Sequence, residues 1–150
     1  MQKMKKTFLA RNVFHGTHGY FLVDGMPIME MGKFSSKLKI NRETMQFANE
    51  MAEDTKMTGF GGEWSATIRK VYSRMKDVAN KIKEGKDVRV TIVGVLSDPD
   101  ALGEERITMY NCWFNDLNLM DFEIGKLVEE EIGGGFTDFE YIDSVEPPAK

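Results

Sequence analysis

The chain has 150 residues, 41% of them hydrophobic and 11% aromatic, which suits one domain with a buried core and argues against disorder. No apolar run approaches the ~20 residues of a membrane-spanning helix, which argues against a membrane protein. The net charge is −4, and the only cysteine is Cys112, which excludes an internal disulfide and fits a reducing cytoplasm.

The first 18 residues contain basic side chains and no acid. Their short apolar stretch resembles the start of a secretion signal, but Arg11 interrupts it. We therefore predict a flexible basic arm over residues 1–18, a domain over residues 19–145 and a disordered tail over residues 146–150. The basic residues of the arm are Lys3, Lys5, Lys6 and Arg11.

Residues 20–28 predict a β-hairpin. Asp24 and Gly25 suit the two central positions of a type I′ turn, where both φ angles are positive. Pro27 has no N–H to donate to a neighbouring strand, so it is expected at a strand start or on an edge strand.

Two further segments, residues 33–40 and 63–71, alternate apolar and polar side chains. This period of two predicts strands with one buried face and one solvated face. Between them, residues 42–61 show no convincing pattern and are predicted to form a long loop. Apolar side chains spread through this loop suggest that a partner subunit covers it, with packing against its own domain as the alternative. They are Met45, Phe47, Met51, Met57 and Phe60.

One helix is predicted after residue 73, with Ser73 as its N-cap and Gly85 at the left-handed position after its end. Its apolar stripe comprises Met75, Val78, Ala79 and Ile82. The β-branched residues of segment 88–96 predict a buried strand.

A long strand is predicted over residues 104–117. Its alternation changes face near Asn111 and Cys112, which indicates a β-bulge. The last strand is predicted over residues 127–141, where three consecutive glycines, 133–135, favour a bend or bulge.

The sequence offers no catalytic residue, metal site or cofactor site, so we do not expect an enzyme. His15 and His18 have a spacing that metal sites use, but a zinc site needs three or four ligands and the chain has no other histidine. No base is placed to activate Cys112, which favours a buried structural cysteine. The glycine-rich segment 58–63 lacks the Lys-Ser/Thr of a phosphate-binding loop.

Acidic residues dominate after residue 116. Within this part we predict an acidic partner surface that attracts the basic arm, within one subunit or between neighbours. The alternative is two solvated faces that never meet. The surface is assigned to Glu129, Glu130 and Glu131.

Several segments, in this order and spacing, are similar to the tail tube proteins of contractile, myophage-type phage tails and of phage-derived, bacteriocin-like particles. The resemblance covers about Gly19 to Tyr141. The segments are Gly19-Tyr-Phe-Leu-Val-Asp-Gly, Thr58-Gly-Phe-Gly-Gly-Glu-Trp-Ser-Ala-Thr-Ile-Arg-Lys-Val-Tyr-Ser, Glu105-Arg-Ile-Thr-Met-Tyr, Glu130-Glu-Ile and Phe136-Thr-Asp-Phe-Glu.

The resemblance implies a mainly β fold with one flanking α-helix, a β-sandwich or half-barrel of the phage tail tube and secretion-system inner-tube type. It implies a structural protein whose copies form hexameric rings that stack into a tube around a channel. Sheath protein would lie outside, baseplate and tail-terminator proteins at the ends, and DNA or a tape-measure protein in the lumen, without membrane anchoring. The implied location is a virion or extracellular particle tail, assembled in the bacterial cytoplasm.

The resemblance also gives roles to residues. Loop 42–61 would contact the next ring, and the basic arm would contact a neighbour. Candidate channel-lining residues are Lys33, Ser35, Lys37, Lys39, Glu63, Ser65, Thr67 and Arg69. The lysines fit a DNA channel only if they face outward or acids offset them; otherwise they fit a bacteriocin-like particle without a genome.

Three alternatives remain. One is the inner-tube ring protein of a contractile secretion system, and another is a monomeric tail adaptor or completion protein. An enzyme or ligand-binding barrel would need a pocket with converging polar groups, for which the sequence has no candidate.

Overall fold

The computed structural model describes residues 5–148 and is built mainly from antiparallel β-strands. Two short 3₁₀ turns, Ala10–Asn12 and Gly16–His18, precede the first strand. The strands and the helix are β1 Gly19–Val23, β2 Met26–Ile28, β3 Met31–Gln46, β4 Glu53–Arg69, α1 Lys76–Lys83, β5 Val90–Leu96, β6 Glu105–Leu117, β7 Glu129–Phe136 and β8 Asp138–Asp143.

The strand order is β2-β1-β5-β6-β7-β4-β3, with β8 also paired to β6. Strand β6 joins two halves of the sheet, because its first part pairs with β5 and β8 and its last part pairs with β7. Between these parts Asn111 has a φ of +57°, and the register with β5 shifts there. The predicted bulge is therefore confirmed, and it is the point where β6 passes from one half to the other.

The two halves share one core. Phe21 of β1 stacks on Phe34 of β3 with ring centroids 4.9 Å apart. Ile92 and Met109 from the first half join Trp64 from the second half in the same buried cluster. The prediction of a mainly β fold with one flanking helix is confirmed.

The first hairpin forms as predicted. Asp24 and Gly25 have φ angles of +48° and +83°, as the type I′ turn requires. Pro27 lies in β2, which is an edge strand, so its missing N–H costs no hydrogen bond.

Helix α1 begins later than predicted. Its N-cap is Met75, which is buried, and the backbone carbonyl of Ser73 only accepts a 3.4 Å hydrogen bond from the N–H of Lys76. Assigning the cap to Ser73 was wrong, because α1 begins at Lys76 and no side chain makes a capping hydrogen bond at its start. Gly85 has the expected left-handed conformation, with a φ of +88°.

The prediction of one last strand over 127–141 was also wrong. The chain forms β7 and β8, which separate at Thr137, where it leaves the second half of the sheet and pairs with the start of β6. The bend lies after the three glycines, and these belong to β7 itself.

The prediction of an irregular loop over residues 42–61 was wrong as well. Strands β3 and β4 pair from Met31–Ile68 to Gln46–Glu53, so only residues 47–52 form a turn. The outer half of this hairpin is exposed on both faces. Apolar and polar residues alternate only where one face of a strand is buried, so the sequence of the outer half of the hairpin does not show this alternation.

Candidate assembly surfaces

The β3–β4 hairpin projects from the core as the longest element of the described chain. One face of the hairpin carries Trp64 and Ala66 in the core, and a row of apolar side chains continues on this face towards the tip. Cross-strand pairing places Ile40 opposite Phe60, and Arg42 opposite Met57. We call Leu38, Ile40, Met57 and Phe60 the hairpin stripe; these side chains are 41–54% exposed.

The five residues predicted for inter-ring contact are all exposed, but they do not form one patch. Met57 and Phe60 belong to the hairpin stripe. Met45 pairs with Asp54 and points to the opposite face, and Phe47 and Met51 lie in the turn at the tip. Their contact with a neighbouring ring stays a prediction.

The opposite, polar face of the hairpin carries the eight candidate channel residues, which the structure brings together. Lys33 pairs with Thr67, and Lys37 pairs with Glu63. Nζ of Lys37 lies 3.5 Å from a carboxylate oxygen of Glu63. We call this surface the polar face; it comprises Lys33, Ser35, Lys37, Lys39, Glu63, Ser65, Thr67 and Arg69.

Acids continue this polar face on the neighbouring strand. Glu131 of β7 pairs with Thr67, and Glu129 pairs with Arg69. Both glutamates are exposed, whereas the lysines lie on the edge strand β3. The surface therefore carries both charge signs, and of its three lysines Lys37 forms an ion pair, with Glu63.

Glu130 does not belong to an acidic surface, so that assignment was wrong. Successive side chains of a strand point to opposite faces. Glu130 points inward, is 6% exposed, and accepts a 2.8 Å hydrogen bond from Nζ of Lys70. Only Glu129 and Glu131 of the predicted set are available to a partner.

In the basic arm, Lys3 lies outside the described residues, while Lys5, Lys6 and Arg11 are exposed. The ion pairs found within residues 5–148 do not include these three cations. Contact between the arm and an acidic surface stays a prediction.

The end of the arm is attached to the β5–β6 connection. The buried carboxylate of Asp98 accepts 2.9 Å hydrogen bonds from the backbone N–H groups of Asp100 and His15, and these bonds lower the pKa of Asp98. Nδ2 of Asn12 donates to the carbonyl of Asp100 at 2.9 Å. Residues 12–18 are therefore tied to the domain, and flexibility stays a prediction for the residues before them.

The two histidines belong to this attachment. Nδ1 of His15 accepts a hydrogen bond from the N–H of Thr17, and Nε2 of His18 lies 3.9 Å from Asp98. Within residues 5–148, no group of three or more His, Cys, Asp or Glu side chains is arranged to hold a metal ion. Over the same range, no helix has the length and apolarity that crossing a membrane requires.

One exposed surface was missed by the sequence reasoning. The connection between β6 and β7, residues 118–128, carries a series of strongly exposed apolar side chains, and we call it the apolar loop. Its run of apolar residues could have been noticed in the sequence, but no periodicity marks it as an element. The side chains are Leu119, Met120, Phe122, Ile124 and Leu127, 69–99% exposed.

Cys112 is fully buried at the β6 bulge. Burial raises the pKa of its thiol to about 11. The thiol is therefore protonated at neutral pH and shielded from reagents, as a structural cysteine would be.

Comparison with known proteins identifies the family of this chain. A family model described as phage tail tube protein matches residues 6–143. The phage-like element PBSX protein XkdM of Bacillus subtilis (strain 168) is 27% identical over 134 residues, covering 87% of this chain and 91% of that protein.

Solved structures share the fold at much lower identity. A chain of the anti-feeding prophage tube-terminating cap superposes with a TM-score of 0.68 at 9% identity, covering 95% of this chain and 97% of that one. A chain of the sheath–tube complex of an extracellular contractile injection system gives 0.64 at 10% identity, covering 89% and 95%. A chain of the 6-fold symmetrised anti-feeding prophage baseplate gives 0.58 at 9% identity, covering 83% and 90%.

These neighbours are all components of contractile assemblies, and the family is one of structural tail proteins. The chain belongs to the phage tail tube protein family.

Proposed function

We propose that this chain is the subunit of the inner tail tube of a contractile phage tail or bacteriocin-like particle, with copies closing into six-membered rings that stack around a channel. The observation that carries the proposal is the projecting hairpin with its exposed stripe. Leu38, Ile40, Met57 and Phe60 continue the core-facing surface beyond the core, and residues 5–148 leave these side chains 41–54% exposed. Permanent interfaces between subunits are apolar in this way.

Sheet topology supports a closed ring. Strands β2 and β3 are the two ends of the strand order, and β3 is long. A long open edge is prone to uncontrolled pairing, and closure of strands around a ring removes it. Ring number six rests on the family resemblance and agrees with the 6-fold symmetry of the baseplate that contains a chain of this fold.

The polar face is proposed to line the channel. It carries small polar residues, Lys37 pairs with Glu63, and Glu131 lies on the same face on β7. DNA binds tightly to surfaces of uncompensated positive charge, so mixed charge favours passage of either DNA or a tape-measure protein.

The outside of the tube would meet a sheath protein, and its ends a baseplate and a tail terminator, within a virion or extracellular particle tail assembled in the bacterial cytoplasm. Support comes from the structural neighbours, which belong to a baseplate, a tube-terminating cap and a sheath–tube complex. The alternative, an inner-tube subunit of a contractile secretion system, would use the same contacts between copies.

A second candidate is a tail-terminating or completion protein. The anti-feeding prophage tube-terminating cap gives a higher TM-score than the sheath–tube complex, 0.68 against 0.64. A terminator would form a ring without extending into a filament.

Negative-stain electron microscopy of the concentrated full-length protein tests both functions. Hollow filaments with a regular axial repeat are expected. Isolated rings that never stack would support the terminator instead. Monomers that persist in the presence of baseplate would contradict both.

A truncated hairpin tests whether the outer half of the projecting hairpin is needed for assembly; it removes Met45, Phe47 and Met51 and leaves the hairpin stripe in place. Because Arg42 pairs with Met57, residues 43–56 can be replaced by Asn-Gly to give a short hairpin. The core residues of β4 lie beyond this cut, so the variant is expected to stay folded and to form no filaments. Lys39→Ala, on the polar face, is the control that should still form them. Normal filaments from the truncated variant would contradict a role for the outer half of the hairpin in assembly.

A further inference from the structure

The basic arm and the apolar loop lie at opposite ends of one strand. The arm is tied through Asn12 and His15 to the β5–β6 connection, directly before β6 begins at Glu105. The apolar loop starts where β6 ends, at Leu117. Surfaces at opposite ends of a subunit can meet only between copies, and such head-to-tail contacts build open assemblies.

The apolar loop combines apolar and acidic side chains. Asp121 and Glu123 alternate with its exposed apolar residues, and the exposed Asp116 and Glu129 flank it. Its one cation, Lys126, already pairs with Glu123 at 3.1 Å. A complementary partner therefore needs apolar side chains together with positive charge.

The arm has that chemistry. Its apolar side chains Phe8, Leu9 and Val13 are 50–66% exposed, and it contains no acid. Its described cations, Lys5, Lys6 and Arg11, are exposed. The two segments therefore match both in apolar character and in charge.

Another exposed apolar element is the tip of the β3–β4 hairpin, and its charge argues against it as the partner of the apolar loop. The tip carries Glu50, Glu53 and Asp54 and no cation between residues 46 and 55. Placing these acids against Asp121 and Glu123 would bring like charges together, which opposes binding. The arm is therefore a better partner for the apolar loop than the hairpin tip is.

The arm is much shorter than the strand that separates it from the apolar loop of its own chain. Phe8 lies four residues before Asn12, a span of at most ~14 Å. Strand β6 has 13 residues, which corresponds to at most ~40 Å. These lengths favour a contact between two copies.

We propose that the apolar loop, residues 118–128, binds the N-terminal arm of a second copy through that copy's residues 5–13. The inference rests on the proposed self-assembly and names one of its contacts. Phe8 and Leu9 would cover Phe122 and Ile124, while Lys5, Lys6 and Arg11 would face Asp121 and Glu123.

Disulfide trapping of full-length proteins tests the contact directly. Phe8→Cys is mixed with Phe122→Cys, one of them mass-tagged, and oxidised under assembly conditions. Cys112 should not interfere because it is buried. A dimer joining the two variants is expected, at several times the yield from Phe8→Cys mixed with Lys83→Cys, whose exposed position at the end of α1 lies outside the proposed contacts. An equal or lower yield would overturn the inference.

A charge exchange separates this inference from the proposed function. Lys5→Glu with Lys6→Glu, or Asp121→Lys with Glu123→Lys, should raise the protein concentration needed for filaments at least 10-fold. Combining all four changes should restore most of the loss. Filaments unaffected by either pair would overturn the arm contact while the tube function stands; absence of wild-type filaments even with baseplate would overturn the tube function itself.

Discussion

The indole Nε1 of Trp64 donates a hydrogen bond to the backbone carbonyl oxygen of Trp113, at 3.2 Å. The two residues lie on β4 and β6, with β7 between them. The indole crosses β7 at Gly134, which pairs with both Trp64 and Phe114, and the rings of Trp64 and Phe114 pack edge to face at 5.4 Å. A side chain on Gly134 would occupy this crossing, which explains why a strand interior contains glycine.

Gly134→Ala is expected to destabilise the fold severely. A Cβ at this position would lie 1.7 Å from the carbonyl oxygen of Trp113, which is backbone and cannot rotate away. We expect a loss of about 3 kcal/mol or more in the free energy of unfolding, seen as a fall of roughly 10 °C in Tm. The control Gly61→Ala, where a Cβ meets nothing within 4 Å, should change stability by less than about 1 kcal/mol. Similar Tm values for both variants would show that β7 shifts without cost.

Lys70→Met is expected to destabilise the protein because it leaves the buried carboxylate of Glu130 without its partner. Lys70 is itself partly exposed, so solvent moderates the loss to about 2 kcal/mol. Urea denaturation at neutral pH measures it.

Lys126→Met is the matched control. Lys126 and Glu123 are both about 70% exposed, and removing an exposed ion pair should cost less than about 0.5 kcal/mol. Equal losses in the two variants would mean that burial of Glu130 does not decide the energy of its pair.

Sequence reasoning succeeded where a local rule determines the conformation. The turn at Asp24 and Gly25 needs positive φ angles, and the bulge at Asn111 follows from a change of face within one strand. Burial of Cys112 follows from that same strand. In each case neighbouring residues carry all the information.

The outer hairpin and the apolar loop could not be predicted in the same way. Residues 42–58 bury neither face in their own chain, so the periodicity that indicates strands is missing. Glu130 shows a related difficulty, because its partner Lys70 is 60 residues away and only the folded sheet brings the two together.

The grouping of the candidate channel residues on one face was better anticipated, while their role in a channel stays a prediction. Alternation in β3 and β4 placed Lys37 and Glu63 on solvated faces, and pairing of the strands then aligned them. The further acids Glu129 and Glu131 lie on β7, and the sequence did not show which strand β7 joins.

The attachment of residues 12–18 is expected to weaken in acid. The pKa of Asp98 is lowered by the N–H groups of Asp100 and His15, so the folded state favours the ionised carboxylate. Its stabilising contribution is complete above about pH 4 and is lost as the pH falls through the lowered pKa. NMR order parameters of residues 12–18 should fall over that window.

Asp98→Ala should give the loosened arm already at pH 7, because it removes the acceptor of both hydrogen bonds. Asp138→Ala, an exposed aspartate on β8, is the control that should leave residues 12–18 ordered. An arm that stays rigid in Asp98→Ala would show that Asn12 and the hydrogen bond from the N–H of Ser97 to the carbonyl of His18 are sufficient to hold it.

Cys112 is expected to resist alkylation. Its pKa of about 11 leaves little thiolate at pH 8, and the side chain is fully buried. Mass spectrometry after iodoacetamide treatment should show modification only once the protein is unfolded in urea, whereas the exposed thiol of Phe122→Cys should react within minutes in the native state. Rapid native labelling of Cys112 would reveal opening of the β6 bulge.

The hairpin stripe gives the final prediction. Ile40 and Phe60 face each other across β3 and β4 and are 48% and 54% exposed, so a lysine at both positions should leave the monomer fold and Tm nearly unchanged. If another subunit covers the stripe, two buried unpaired charges there should abolish filaments, because charge burial without a partner costs several kcal/mol. Electron microscopy and light scattering would measure assembly. The control, Lys37→Ala with Lys39→Ala on the polar face of the same hairpin, should still assemble. Filaments from Ile40→Lys with Phe60→Lys would show that the stripe remains solvated in the tube.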